Sequence, residues 1–183
     1  MVTMTTLLPQ GRPLTQADLE ALPDDGHRYE LVHGTLIVTP SPVTRHQQIV
    51  LEIAVALRAV CPPELSVFVA PLDVLLAVDT VLQPDVLVAR RSDLTEINLP
   101  TAPILAIEVL SPSTRHIDLG LKRAVYEEAG CPSYWVVDPD DPTLTAWELQ
   151  DGRYVEVARV SGDEAFEATH PFPVEIVPSD LLG

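Results

Sequence analysis

Lysine is almost missing from this chain: ten arginines accompany one lysine, Lys122, against 27 acidic residues, for a formal net charge of −16. So little positive charge excludes the broad basic face with which proteins neutralise nucleic-acid phosphates nonspecifically. Cysteine is also scarce. Cys61 and Cys131 stand far apart, each followed by a proline, and neither has the close partner that metal or redox motifs need, so both read as reduced structural thiols. Long hydrophobic runs are absent as well. The stretches 67–78 and 104–110 are interrupted by Pro71, Asp73 and Glu108 and are too short to span a bilayer. The opening MVTMTTLLPQGR lacks a basic start and an apolar core, so 1–12 reads as a flexible lead-in rather than a signal peptide. A cytoplasmic protein with no membrane partner is expected.

What is present is the material of one globular domain, expected over 13–183: 183 residues, 46% of them hydrophobic, with no internal repeat or low-complexity linker. Thr15 caps a short leading helix in LTQADLEALPDD. The runs 29–32 and 35–39 flank His33-Gly34 as a hairpin. From 43 to 60, His46, Ile49, Val50, Ile53, Leu57 and Val60 recur at steps of three and four, which predicts a helix with one buried face, ended by Pro62 and Pro63. LSVFVAPLDVLLAV, VLQPDVLVAR and APILAIEVLSPS read as central strands. A helix follows over roughly 117–129, capped by Ser113 or Thr114, packed through Leu121, Ala124 and Val125 and closed by Gly130. PSYWVVDPD reads as another buried strand. TLTAWEL and RYVEVARV pair around Asp151-Gly152, and 172–182 closes the chain. This order predicts a mixed α/β (α+β) fold with additional hairpins.

Two acids sit where acids are costly. Glu108 lies inside ILAIEVL, a strand expected to be covered on both faces, and Asp85 lies inside VLQPDVLV, also read as a buried strand, where Pro84 suggests a bulge, an edge or a strand start. A buried carboxylate must be protonated, paired or bound to a cation. If the two strands are neighbours, both acids converge on a divalent ion, and oxygen ligands without cysteine favour Mg²⁺ or Mn²⁺. The alternative is a strand-end position in water, or pairing with an arginine such as Arg90 or Arg123. Lys122 follows Glu108 on the next helix, from which its stem reaches back to the strand end to orient water or stabilise phosphate charge. A surface pair with Asp118 is the alternative for it.

The motifs RYELVHGTL, PSPVTRHQQIV, QPDVLV, IEVLSPST, the spacing from Asp118 through Lys122 to Tyr126, and YWVVDP, in this order, resemble the PD-(D/E)XK superfamily and, within it, the Uma-type endonucleases. The resemblance runs through most of the chain. It implies a restriction-endonuclease-like mixed β-sheet flanked by helices and Mg²⁺-dependent cleavage of phosphodiester bonds in DNA. It also implies catalytic and metal-binding roles for Asp85 and Glu108, with a contribution from Glu30. The superfamily pattern places lysine two positions after the second acid. Leu110 stands there, and the lysine role passes to Lys122, as in other branches. Glu30 would add a ligand directly or through water, or serve as a strand-edge acid.

Possible substrate-binding residues are His46, Gln83, Arg115 and Arg123. His46 reads equally as a packed core histidine, and Gln83 faces either the cleft or the opposite side. Tyr126, Tyr134 and Trp135 read as core rather than base-stacking residues. Two bound Mg²⁺ ions would leave most of the −16 uncompensated, so the expectation is local focusing by Arg115, Lys122 and Arg123, with Arg90 and Arg91, at one mouth. Weak, salt-sensitive binding of DNA by the isolated chain and a homo-oligomer follow. The competing readings are a catalytically inactive nuclease-fold scaffold and a hydrolase of smaller phosphate esters using His27, His46 or His116.

Overall fold

The computed structural model describes residues 11–23 and 25–183; residues 1–10 of the expected lead-in lie outside them. Helix α1 (Gln16–Glu20) begins where the Asp18 carboxylate reaches back to accept the Thr15 backbone N–H at 2.8 Å and its hydroxyl at 2.9 Å. The acid three residues into the helix thus supplies the capping oxygen. Strands β1 (Arg28–Val32) and β2 (Thr35–Thr39) form the expected hairpin. His33 and Gly34 take φ 47° and 74°, the left-handed pair that matches strand twist in a two-residue turn.

Helix α2 (Thr44–Val60) buries His46, Ile49, Val50, Ile53 and Leu57. Val60, expected on this face, is the last helical residue and is 49% exposed. A larger correction concerns the apolar runs after it. LSVFVAPLDVLLAV is two strands, β3 (Leu65–Val69) and β4 (Asp73–Ala77), and VLQPDVLVAR is two more, β5 (Thr80–Leu82) and β6 (Val86–Arg90). Pro71 and Pro84 supply no amide N–H, so each breaks the ladder where its run leaves one sheet and enters another.

The remaining strands are β7 (Asn98–Leu99), β8 (Leu105–Val109), β9 (Ser133–Asp138), β10 (Thr143–Gln150), β11 (Arg153–Ser161), β12 (Phe166–Ala168) and β13 (Val174–Ile176). Between β8 and β9 a π-helical segment, Ile117–Lys122, runs into α3 (Arg123–Glu128). Gly130, at φ 76°, follows α3 as its expected terminator. Asp151 and Gly152, both at positive φ, turn β10 into β11 as expected. The short pair β12–β13 and strand β7 had no clear sequence signal.

One sheet has the order β2-β1-β5-β4-β7, a second β11-β10-β9-β8-β6-β3, and β12-β13 form a small third. Only β4–β7 and β8–β9 pair in parallel among the described strands. Every residue of β8 and β9 is buried, as expected for strands covered on both faces. Ile107 and Val109 face α2 in one core with Ile49, Ile53, Trp135 and Phe172. Ala106 and Leu110 turn the other way, into a core with Tyr126, Tyr134, Val136 and Trp147. Alternation therefore sends Glu108 to the α3 side of the sheet. Among the described residues no helix is long and apolar enough to cross a membrane.

Candidate active site

The site forms where β5 leaves the five-stranded sheet and β6 enters the six-stranded one. Gln83, Pro84 and Asp85 make that crossing. Val86 pairs with Ile107 in antiparallel register, so Asp85, one residue earlier, stands beside Glu108 on β8. The Val109 amide donates to Asp85 Oδ2 at 2.8 Å. On the other side of the crossing, Leu31 pairs with Val81, and the Gln83 amide donates to Glu30 Oε1 at 2.8 Å. Two short backbone-to-carboxylate bonds thus tie an acid from each sheet to one crossing.

Lys122 enters from the π-helical segment. Its Nζ lies 3.0 Å from Glu30 Oε1, 3.1 Å from Glu108 Oε1 and 3.6 Å from Asp118 Oδ1. The expected packing face of this helix is corrected here. Leu121 and Ala124 are exposed, whereas Asp118, Lys122, Val125 and Tyr126 point inward. The pair with Asp118 exists, but it is buried, because both side chains answer to the acids below.

Glu30, Asp85, Glu108, Asp118 and Lys122 are each at most 4% exposed, so their charges meet little water. Burial works against ionisation of Asp85, but the hydrogen bond from His46 and the charge of Arg28 outweigh it, and its pKa is held well below the usual range. Burial pushes Glu108 well above its ordinary value despite Lys122, and Asp85, Asp118 and Glu30 add to the rise. Asp118 is also raised, chiefly by burial. Burial disfavours the Lys122 ammonium, yet Glu108, Glu30 and Asp118 together raise its pKa, so it stays charged. Neighbouring carboxylates of opposite tendency are the arrangement found at sites that handle protons.

Asp85, Glu108, Glu30 and Lys122 are therefore brought together. His46 joins them through the acid: its Nε2–H donates to Asp85 Oδ2 at 3.1 Å. Gln83 takes part through its backbone, while its side-chain amide donates to Asp73 Oδ1 at 2.7 Å. Arg115 pairs with Asp138, and the Arg123 guanidinium lies 5.2 Å from the centre of the Trp147 ring. Neither lines the cavity above the acids, which measures about 460 Å³. Of the five basic residues expected to focus charge at its mouth, only Lys122 lines it, and it is spent on carboxylates; Arg28 and Arg45 line it instead.

Arg28 is the residue that sequence reasoning missed. Its Nη1 lies 2.9 Å from Asp85 Oδ1, its Nη2 is 3.8 Å from Glu30 Oε1 and 4.0 Å from Glu108 Oε2, and Nη2 also donates to the Gln83 carbonyl. The available signal was alternation: Arg28 lies two residues before Glu30 on one strand and so shares its face. Asp118 entered as a surface partner of Lys122 and as part of the spacing through Lys122 to Tyr126, with no site role assigned to it.

The cluster holds four carboxylates against the cations Arg28 and Lys122, and the buried Glu30 Oε2 has no hydrogen-bond partner. An all-oxygen, net-negative donor set with an unsatisfied carboxylate oxygen fits a hard divalent cation, the kind that restriction-endonuclease-like families generally use. Asp85, Glu108 and Glu30 would hold it. Among the described residues no three acid, histidine or cysteine side chains are already drawn together as a ligand set. Arg28 and Lys122 stand between the acids.

The fold and this seam of acids define a nuclease-like α/β protein. The structure superposes on a crystal structure from Anabaena variabilis ATCC 29413, described as "a putative nuclease belonging to DUF820", with a TM-score of 0.72 and 23% identity over 93% of this chain and 98% of that one. Residues 16–180 match the family described as "Uma2: Putative restriction endonuclease", and the chain belongs to that family. No curated protein matches the chain.

Proposed function

We propose that this chain is a divalent-metal-dependent endonuclease that hydrolyses phosphodiester bonds of DNA, with residues 13–183 acting as one domain. The observation that carries the reading is the meeting of Asp85, Glu108 and Glu30 with the only lysine of the sequence at the floor of an open cavity. Asp85, Glu108 and Glu30 would hold Mg²⁺ or Mn²⁺, which would supply positive charge toward the phosphate and acidify water. The protein's own part is positioning. The Val109 amide and His46 fix Asp85 Oδ2 from two directions, so the carboxylate keeps one orientation. Lys122 holds Glu30 Oε1 and Glu108 Oε1 together and keeps a positive charge beside the place where charge develops on phosphate. Burial raises the pKa of Glu108, so in the metal-free site its carboxyl favours the protonated form, and a bound divalent ion would favour the carboxylate.

DNA binding by the isolated chain is weak and salt-sensitive, because the formal charge is −16 and few cations line the cavity. A homo-oligomer in the cytoplasm, joining cavities from two chains, accords with that weakness. A second reading, an inactive scaffold of nuclease fold, draws support from the placement of Arg115 and Arg123 away from the cavity.

Nicking of supercoiled plasmid with Mg²⁺ or Mn²⁺ tests the assignment. Asp85→Asn, Glu108→Gln and Lys122→Ala should each lower the rate by roughly 100-fold or more, the scale seen when a group facing developing charge is removed. Wild-type rates in all three variants would refute the site. A wild-type chain that binds no metal and cuts nothing would favour the scaffold.

A further inference from the structure

We propose that Arg28 is an exchangeable cation: its guanidinium occupies the acid cluster when metal is absent and leaves when a divalent ion arrives. The inference rests on the metal-dependent reading above and assigns a role to a side chain outside it. Arg28 reaches all three acids proposed as ligands, at 2.9 Å for Asp85, 3.8 Å for Glu30 and 4.0 Å for Glu108. Lys122 reaches two of them and Asp118. Among the described residues the guanidinium is thus the cation that lies within 4.0 Å of all three carboxylates proposed as ligands.

The two cations differ in their freedom to move. The Lys122 side chain is 4% exposed and the Arg28 side chain 21%, and Arg28 also lines the cavity. The Arg28 Nε is buried without a partner, so the side chain is held by its terminal nitrogens alone. Rotation into the cavity breaks those contacts and exposes a charge to water that is now enclosed. Replacing one positive charge by two improves compensation of the four buried acids, which makes the exchange favourable for a divalent ion and unfavourable for a monovalent one. In the metal-free protein the same guanidinium prevents mutual repulsion of Asp85 and Glu108.

Competition of this kind lowers the apparent metal affinity by the fraction of molecules in which Arg28 is out of the cluster. Calorimetric titration with Mn²⁺ alone should therefore give binding at least about tenfold tighter for Arg28→Gln than for wild type, with Arg28→Lys between them. Arg45→Gln, which removes a cavity-lining charge paired with Asp140 rather than with the buried cluster, should change it by less than about twofold. The second measurement needs no variant: phenylglyoxal labelling of Arg28 in the wild-type protein, read by peptide mapping, should rise when Mn²⁺ is added. Mn²⁺ binding by wild type with equal or weaker binding by Arg28→Gln overturns the exchange and leaves the nuclease reading standing. An equal gain in Arg45→Gln also overturns it, as a general charge effect. Absence of Mn²⁺ binding in both wild type and Arg28→Gln overturns both ideas. Should Arg28→Gln not fold, the labelling decides alone, and unchanged labelling refutes the proposal.

Discussion

Replacing Lys122 by methionine keeps an unbranched stem and removes the charge, leaving Glu30, Glu108 and Asp118 without the ammonium that lies 3.0, 3.1 and 3.6 Å away. Removing one partner of a buried ion pair costs about 3–5 kcal/mol, because the remaining charge stays desolvated. Arg28 is already engaged with Asp85, Glu30 and Glu108 in the wild-type protein, so it brings no new charge to replace the ammonium. The expected loss for Lys122→Met at pH 7 is therefore about 3–5 kcal/mol, or about 6–20 °C in Tm for a chain of this size. The pH dependence has a definite sign. Without the lysine, Glu108 and Asp118 rise still further above their ordinary values of 4.5 and 3.8. An acid raised in the folded state favours folding below its unfolded pKa, and that contribution disappears as pH climbs through the folded value. Wild type meanwhile loses its ion pairs at acid pH, where Lys122 faces neutral partners. The deficit should be largest near neutrality and shrink toward pH 4. Urea unfolding followed by circular dichroism between pH 4 and 8 measures it. A deficit under about 1 kcal/mol at pH 7, or one that stays constant with pH, would refute the view that this lysine compensates buried acids.

Three further outcomes are expected. Glu108→Gln removes the group whose pKa is raised, so its stability relative to wild type should improve steadily as pH rises from 4.5, measured by the same unfolding series. Asp85→Asn should behave in the opposite sense: Asp85 contributes above its unfolded value of 3.8 and loses that contribution as pH falls toward its depressed folded value. Its loss of about 2–4 kcal/mol at pH 7 should narrow below that point. Gly34→Ala places a Cβ 2.3 Å from Pro13 Cβ and 2.8 Å from Pro13 Cα at φ +74°. Left-handed strain and overpacking together should cost about 2–4 kcal/mol in a denaturant titration, and a neutral substitution would show that the hairpin turn relaxes freely.

Local signals carried much of the fold. The turn pairs His33-Gly34 and Asp151-Gly152 and the three- and four-residue steps of α2 each express a period or a positive φ that a single segment contains. The buried acids were legible for a related reason, since a carboxylate inside an apolar run is costly wherever that run goes. What was hidden depends on partners. A continuous apolar run has the same composition whether it forms one strand or two strands in different sheets, so the division at Pro71 was missed, while Pro84 signalled a bulge, an edge or a strand start but not the change of sheet. Leu121 looked like core, but the acids beneath draw Asp118 and Lys122 inward, Lys122 as expected, and leave Leu121 exposed. Arg28 drew no attention because its three acidic contacts come from β1, β8 and the segment before β6.

The crossing formed by Gln83, Pro84 and Asp85 bears on how the spacing of the acids is kept. Fully extended, two peptide units span only about 7 Å, so the amide that holds Glu30 and the acid that stands beside Glu108 have a covalent limit on their separation. A second crossing, at Ala70 and Pro71, joins the same two sheets, and the Ala70 amide donates to the Asp85 carbonyl at 3.1 Å. Two covalent crossings and the hydrogen bond between them limit how far the sheets can separate at this point. A circular permutant opened at the Asp151-Gly152 turn should therefore retain the spacing of the acids, whereas one opened between Gln83 and Asp85 should lose it, even where both permutants keep every side chain of the site.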